Sequence, residues 1–256
     1  MAQAEKPKVV AVIPARYGST RFPGKPLAEL AGKPIIQHAA TRTARARLVR
    51  RVVVATDDER IYRCVVGFGG EAVMTSPDHA TGTDRIGEAI AGIECDIVVN
   101  VQGDEPAVDP GAVDAAVAPL VDDNSLVMST LAAPIREREE ILSPHVVKVV
   151  VDADGFALYF SRSPLPGDRD GTYDTGTGVP YRKHVGLYVF RRDFLDTFVS
   201  LDRTPLERAE ELEQLRALEN GYRIRVVDIE TPCVGVDTPE DLKRLERDVK
   251  NGIITL

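Results

Sequence analysis

The sequence predicts an α/β chain built on a mostly parallel sheet, and three observations predict it. Short apolar runs rich in β-branched residues recur at 9–13, 51–56 and 97–101, the pattern of strands buried on both faces. Segments with helical periodicity separate them, long enough for crossover connections. A polar cluster follows each run, at 16–25, 56–57 and 102–105. In open α/β sheets ligands bind beyond the carboxyl ends of the strands.

The elements follow in order. Residues 9–13, VVAVI, form a first strand that Pro14 ends. A polar loop carrying Arg16, Gly18, Ser19, Thr20, Arg21, Gly24 and Lys25 comes next. Residues 35–47 read as a helix with Ile35, Ile36, Ala39 and Ala40 on one face, and 51–56 as the second strand. Asp57 and Asp58 start a helix to about Val66, and Gly69-Gly70 turns the chain into a short strand at 72–75. Residues 83–93 place Ile86, Ala89, Ile90 and Ile93 at helical spacing. Strand 97–101 is followed by a helix over 111–121, which Pro119 is expected to end early.

The pattern then changes. Residues 126–133, 145–151 and 156–161 read as strands, the last two joined by Asp-Ala-Asp-Gly as an antiparallel hairpin. Residues 167–178 are a long polar loop, and Tyr188 and Phe190 mark another strand. Thr204-Pro205-Leu206-Glu207 is a capping box with proline at the first helical position. Leu206, Ala209, Leu212, Leu215 and Leu218 carry one apolar stripe from it. The acidic side of that helix, Glu207, Glu210, Glu211 and Glu213, is read as solvated. A strand at 224–229 precedes a final helix from Pro239 to about Lys250, started by Thr238-Pro239-Glu240-Asp241. Residues 134–200 read as an insertion into, or extension of, the parallel core.

Composition narrows the class. A chain of 256 residues with 43% hydrophobic content supports a substantial core and excludes general disorder. The net charge of −8 argues against nonspecific binding to nucleic acid. Cys64, Cys95 and Cys233 are far apart and show no metal or redox spacing, so reduced thiols are expected. The polar N-terminus has no signal-peptide core, and no apolar run approaches membrane-spanning length. A soluble cytoplasmic enzyme without membrane association is the expectation.

Three cations and several small residues directly after a buried strand suit a polyphosphate, which needs many donors close together. The alternative is an ordinary βα connection with solvated cations. The Gly-Lys-Ser/Thr ending of a P-loop and the G-x-G-x-x-G of dinucleotide folds are both absent. Asp104 follows a buried strand, where a carboxylate can hold Mg²⁺ against phosphates or cap the turn before Pro106. Asp237 precedes the last helix, and would complete a two-carboxylate site if the chain brings it back to Asp104. Helix-start electrostatics is its simpler role. Thr81-Gly82-Thr83-Asp84-Arg85 is either a base or ribose contact or a plain N-cap with a surface arginine, the second being preferred on the residues alone. His184 and His145 lie beside strands without a visible carboxylate partner.

The stretches IPARYGSTRFPGKPL, VVVATDD, TGTDRI, VNVQGDEP, VVKVVVDADGFALYFSRSPLP, HVGLYVF, PLERAEELEQLR and GVDTPEDL together resemble the 3-deoxy-manno-octulosonate cytidylyltransferase family, in order and spacing, from about Val9 to Lys250. The resemblance implies a Rossmann-like nucleotidyltransferase three-layer fold in one domain, with 134–200 as an inserted antiparallel and dimerisation region of a homodimer. It implies CMP transfer from CTP to the anomeric hydroxyl of the sugar acid 3-deoxy-D-manno-octulosonate (KDO), with Mg²⁺ and release of pyrophosphate, in lipopolysaccharide biosynthesis. Arg16, Ser19, Arg21 and Lys25 are then the triphosphate ligands, Asp104 and Asp237 the metal ligands, and Arg16, Lys25, Asp104 and Asp237 the catalytic set. Thr56, Asp57, Thr83 and Arg85 fall near cytosine and ribose. Gln102, Arg162, His184, Tyr188, Glu213 and Gln214 surround the sugar acid, with Arg162 suited to its carboxylate. The neighbouring alternatives are another acceptor, sialic acid or an amino-substituted KDO, and a nucleotide-sugar binder without turnover. The chain departs from the family at Leu165-Pro166-Gly167-Asp168-Arg169, where relatives commonly carry a tryptophan and this chain has none.

Overall fold

The computed structural model describes residues 6–18, 21–178, 181–230 and 234–256. Ser19, Thr20 and Cys233 lie outside the described residues. In chain order, β1 (Val9–Ala15) leads through a 3₁₀ turn (Lys25–Leu27) to the small hairpin β2 (Glu29–Leu30) and β3 (Lys33–Pro34), then α1 (Ile35–Thr43) and β4 (Arg51–Thr56). Next come α2 (Glu59–Gly67), β5 (Glu71–Met74), α3 (Gly82–Ala89), β6 (Ile97–Asn100), α4 (Pro110–Asp122) and β7 (Met128–Pro134). Helix α5 (Arg138–Leu142) precedes β8 (Lys148–Val151) and β9 (Ala157–Ser161). After a long loop follow β10 (Arg182–Arg191), α6 (Arg192–Ser200), α7 (Pro205–Glu210), α8 (Leu215–Glu219), β11 (Arg225–Asp228) and α9 (Pro239–Lys250).

The main sheet runs β11-β7-β10-β6-β1-β4-β5. Its strands are parallel except β10, which is antiparallel to both β6 and β7. Alternation along β1 divides the core between two faces. Val9, Ala11, Ile13 and Ala15 pack in one cluster with Ile36, Ile61 and Val113, while Val10 and Val12 pack in another with Ile86, Phe198 and Leu215. Helices therefore cover both faces, as a mostly parallel sheet requires.

Four expectations change. Pro14 does not end β1, which stays paired to β4 through Ala15↔Thr56. The Val9 carbonyl faces β4 and the Val12 carbonyl faces β6, so Pro14 turns its missing N–H to the β6 side. The β1–β6 ladder has already stopped there, at Val12↔Asn100. Pro119 sits inside α4 rather than ending it, partly buried at the flank of the face that buries Ala116, Val117 and Leu120. Of residues 134–200, β10 is a central strand, and the hairpin β8–β9 with its following loop is what departs from the parallel pattern. The helix expected from Leu206 to Leu218 is two short helices. Glu211 breaks it in the left-handed conformation (φ 50°, ψ 48°), and Leu206 is exposed rather than part of a buried stripe.

Candidate active site

The loop after β1 turns back on itself at Gly24, whose N–H donates to the Tyr17 carbonyl at 2.9 Å. Gly24 has φ +73°, a conformation that suits glycine. The turn carries the partly buried Lys25 to the end of β6. There its Nζ lies 2.6 Å from Asp104 Oδ2 and 3.3 Å from Asp237 Oδ1. Gly103 permits this approach, because a Cβ at that residue would stand 2.8 Å from the Pro14 carbonyl oxygen. Asp237 is fixed by its neighbour, the Val236 N–H donating to the Asp104 carbonyl at 2.9 Å. Arg21 pairs with Asp237 at 3.3 Å from the solvent side. Arg16 is exposed and lines a small cleft with Lys25, Gly103 and Asp104. Ser19 lies outside the described residues.

Two carboxylates thus converge on one cationic position. Among the described residues no group of three or more His, Cys, Asp or Glu side chains forms a ready metal cage. Two hard carboxylates completed by phosphate oxygens are nonetheless a donor set that suits Mg²⁺, which keeps its waters and takes one or two protein ligands. The residues fit the ion.

At the end of β4, Thr56 is buried and its Oγ1 accepts from the Asp58 N–H at 3.2 Å. Thr81 caps α3 with a capping box closed by Asp84. Arg85 is not the surface arginine that the cap alone suggests. It is fully buried, donating to Asp57 Oδ2 at 2.9 Å and to the Thr75 hydroxyl. Its Nε has no partner among the described residues.

A cleft of about 620 Å³ opens beside Asp237, lined by Gln102, His184, Tyr188, Glu213 and Gln214. The β10–β7 ladder slips between Val185 and Tyr188, and the Gly186 carbonyl accepts from Gln102 Nε2 at 3.0 Å. His184 Nε2 meets the Thr130 hydroxyl at 2.9 Å. Burial pushes its pKa down to about 3, so the ring is neutral. The Tyr188 hydroxyl donates to Gln214 Oε1 at 2.9 Å, and burial raises its pKa. Gln214 Nε2 is buried and has no partner among the described residues.

The left-handed Glu211 delivers Glu213 and Gln214 to this cleft. Glu213 accepts from Thr83 Oγ1 at 3.1 Å and Thr81 Oγ1 at 3.4 Å, and Asn100 Nδ2 donates to Thr83 Oγ1 at 3.3 Å. Burial pushes the Glu213 carboxyl up to about 7. The side of this segment expected to be solvated is therefore engaged. Glu207 is also buried, bidentate to Arg216 at 2.7 and 2.9 Å.

Arg162 is not brought into the cleft lining. Its guanidinium donates to the carbonyls of Glu210 (2.7 Å), Pro144 (3.2 Å) and Glu211 (3.4 Å). Lys183, paired with Glu140, lines the cleft instead. Sequence reasoning missed Lys183, although it directly precedes His184 on the strand that carries Tyr188.

Comparisons with known proteins identify the family and the fold. A profile of the cytidylyltransferase family matches residues 10–226. The 3-deoxy-manno-octulosonate cytidylyltransferase of Geobacter metallireducens is 58% identical over 245 residues, covering 93% of this chain and 96% of that protein. The protein of the same name from Solibacter usitatus is 53% identical, covering 96% of each. A solved structure of CMP:2-keto-3-deoxy-manno-octonic acid synthetase complexed with CTP is similar at TM-score 0.90 and 44% identity, over 96% of this chain and 99% of the other. A Methanothermobacter nucleotidyl transferase, 14% identical at TM-score 0.62 over 96% and 99% of the two chains, shares the fold alone.

Proposed function

Because this chain belongs to the 3-deoxy-manno-octulosonate cytidylyltransferase family, we infer that it transfers CMP from CTP to the anomeric hydroxyl of KDO. CMP-KDO and pyrophosphate are the products, and CMP-KDO serves lipopolysaccharide biosynthesis. The observation that carries the reading is the meeting of Lys25, Asp104 and Asp237 beside a cleft that Asp237 lines together with Gln102, His184, Tyr188, Glu213 and Gln214.

The anomeric oxygen attacks the α-phosphorus of CTP as the bond to the pyrophosphate oxygen breaks. Such reactions depend mostly on positioning and charge stabilisation. Arg16, Ser19, Arg21 and Lys25 are the groups for the triphosphate, and Lys25 and Arg16 neutralise charge on the leaving pyrophosphate. Asp104 and Asp237 would hold Mg²⁺, which when bound clamps phosphate oxygens and acidifies the attacking hydroxyl. Thr56, Asp57 and Thr83 stand on the nucleotide side. Arg85 serves there by holding Asp57, since its own guanidinium is buried.

Gln102, His184, Tyr188, Glu213 and Gln214 bind and orient the sugar acid. His184 does so as a neutral ring, and Lys183 supplies the cation nearest the role first given to Arg162. KDO is favoured over sialic acid because the DADGFALYFSR, PLERAEELEQLR and GVDTPEDL stretches match this branch. The partner is a second copy of the chain in a homodimer, with the hairpin β8–β9 and the exposed Leu142 and Leu158 supplying apolar contact. No helix among the described residues is long and apolar enough to cross a membrane.

Phosphorus NMR of a mixture of CTP, KDO and Mg²⁺ tests the reaction. Loss of the triphosphate signals with growth of one phosphodiester and pyrophosphate supports it. Release of CMP or CDP without a sugar phosphodiester contradicts it.

A further inference from the structure

Lys148 is a fully buried lysine at the start of β8 whose partners among the described residues are main-chain carbonyls. Its Nζ donates to Ser143 at 2.8 Å, to Val146 at 2.6 Å and to Arg162. An ammonium has three donors, and all three are used. A methionine would fill similar space without desolvating a charge, so the lysine is explained by the three carbonyls that converge on it.

One of those carbonyls, that of Val146, belongs to a residue in the wall of the cleft, and Ser143 opens the segment that leads into it. His145, Val146 and Val147 of this segment line the cleft together with Glu213 and Gln214. The Val147 carbonyl also accepts from the His184 N–H at 2.8 Å. The third carbonyl, of Arg162, leads to the opposite wall. Arg162 donates from its guanidinium to the Glu210 and Glu211 carbonyls, and its N–H donates to Glu210 Oε2 at 2.9 Å. Ser161 Oγ donates to the other Glu210 oxygen at 2.7 Å. Glu211 is the left-handed residue that sets the direction of Glu213 and Gln214. One buried ammonium thus adds a further tie between two segments already joined by the Arg162–Pro144 hydrogen bond and the β8–β9 ladder.

We propose that Lys148 is a positioning residue for the sugar acid, fixing the distance between the 143–147 wall and the Glu213–Gln214 wall through Arg162. The inference rests on the reading of this cleft as the sugar-acid site. Lys148 itself contacts neither the Lys25–Asp104–Asp237 end nor Thr83, which meets this wall through Glu213, so its effect falls first on the sugar acid.

The test is steady-state kinetics of Lys148→Met and the milder Lys148→Gln, which keeps two donors, with hydrogen exchange of the same proteins. KM for KDO is expected to rise about tenfold or more in Lys148→Met and less in Lys148→Gln, with KM for CTP within about twofold of the parent. Exchange is expected to quicken at 143–147 and 210–214 and stay unchanged in β1, β4 and β6. An unchanged KM for KDO in a folded variant overturns the proposal. So does an equal rise in both KM values, or failure of both variants to fold, since each leaves a lysine of purely structural importance. A parent enzyme that does not use KDO refutes the cleft reading itself, and the unmutated control shows that separately.

Discussion

Lys25 and Asp237 are 212 residues apart in the chain and 3.3 Å apart in the fold. A satellite core holds them there. Leu30 and Ile35, after the Lys25 turn, pack with Val236, just before α9, and with Leu245 in it, and Phe22 joins them. The first loop and the last helix therefore share one apolar cluster outside the main sheet. Lys25 and Asp237 flank this cluster in sequence, Lys25 before Leu30 and Asp237 directly after Val236.

Asp104→Asn and Asp237→Asn are each expected to lower kcat at least about a hundredfold, because each removes a charge directed at the phosphates and their ion. Both carboxylates are partly solvated, at 32% and 50% side-chain exposure, so thermal unfolding should shift by no more than about 1 kcal/mol. Near-normal turnover at low Mg²⁺ in either variant contradicts the two-carboxylate site.

Gly103→Ala places a methyl group 2.8 Å from a main-chain oxygen of Pro14 and 3.4 Å from Ile13 Cγ2. Backbone must move, at a cost of about 1–3 kcal/mol in denaturant unfolding. Asp104 moves with it, so kcat falls more than stability alone explains. A variant with parent-like kcat shows that the close approach of β1 and the Asp104 loop is not needed.

Arg216→Met is expected to cost about 3–5 kcal/mol, since it leaves the buried Glu207 carboxylate with only the longer pair to the half-exposed Arg203 at 3.3 Å. Adding Glu207→Leu should recover most of that loss, because neither charge then remains unpaired. Urea titration of the single and double variants measures both. A double variant no more stable than the single one indicates that packing, not the stranded charge, sets the cost.

The parallel half of the fold was legible because its strands are buried on both faces and carry the pattern in their own residues. Strand 51–56 and the final helix from Pro239 are found where the residues place them. The convergence of the Arg16, Thr56 and Gln102 clusters followed from sheet topology alone. What was not legible depends on partners remote in sequence. The capping box at Thr204 and the leucine spacing both favour one continuous helix. The break at Glu211 comes with carbonyl bonds from Arg162 and the need to bury Glu207 on Arg216. Arg85 looked like a surface cation because only Asp57 and Thr75, from other elements, explain its burial. Arg162 looked free for a substrate carboxylate because no sequence pattern marks a guanidinium given over to carbonyls.

Glu213 gives a stability signature in pH. Burial raises its folded pKa from 4.5 to about 7, so the folded state binds its proton more tightly than the unfolded chain. Its contribution to stability falls as pH rises from about 4.5 to about 7 and is constant above. Glu213→Gln should therefore melt higher than the parent at pH 8, with the gain shrinking towards pH 5. An equal gain at both pH values shows that the carboxyl does not titrate in that window.

Pyrophosphate release from CTP across a panel of sugar acids tests the central claim most directly. Release with KDO, little with sialic acid, and none when UTP replaces CTP is the predicted result. Release with sialic acid but not KDO contradicts the acceptor assignment, and equal use of UTP contradicts the assignment to cytosine.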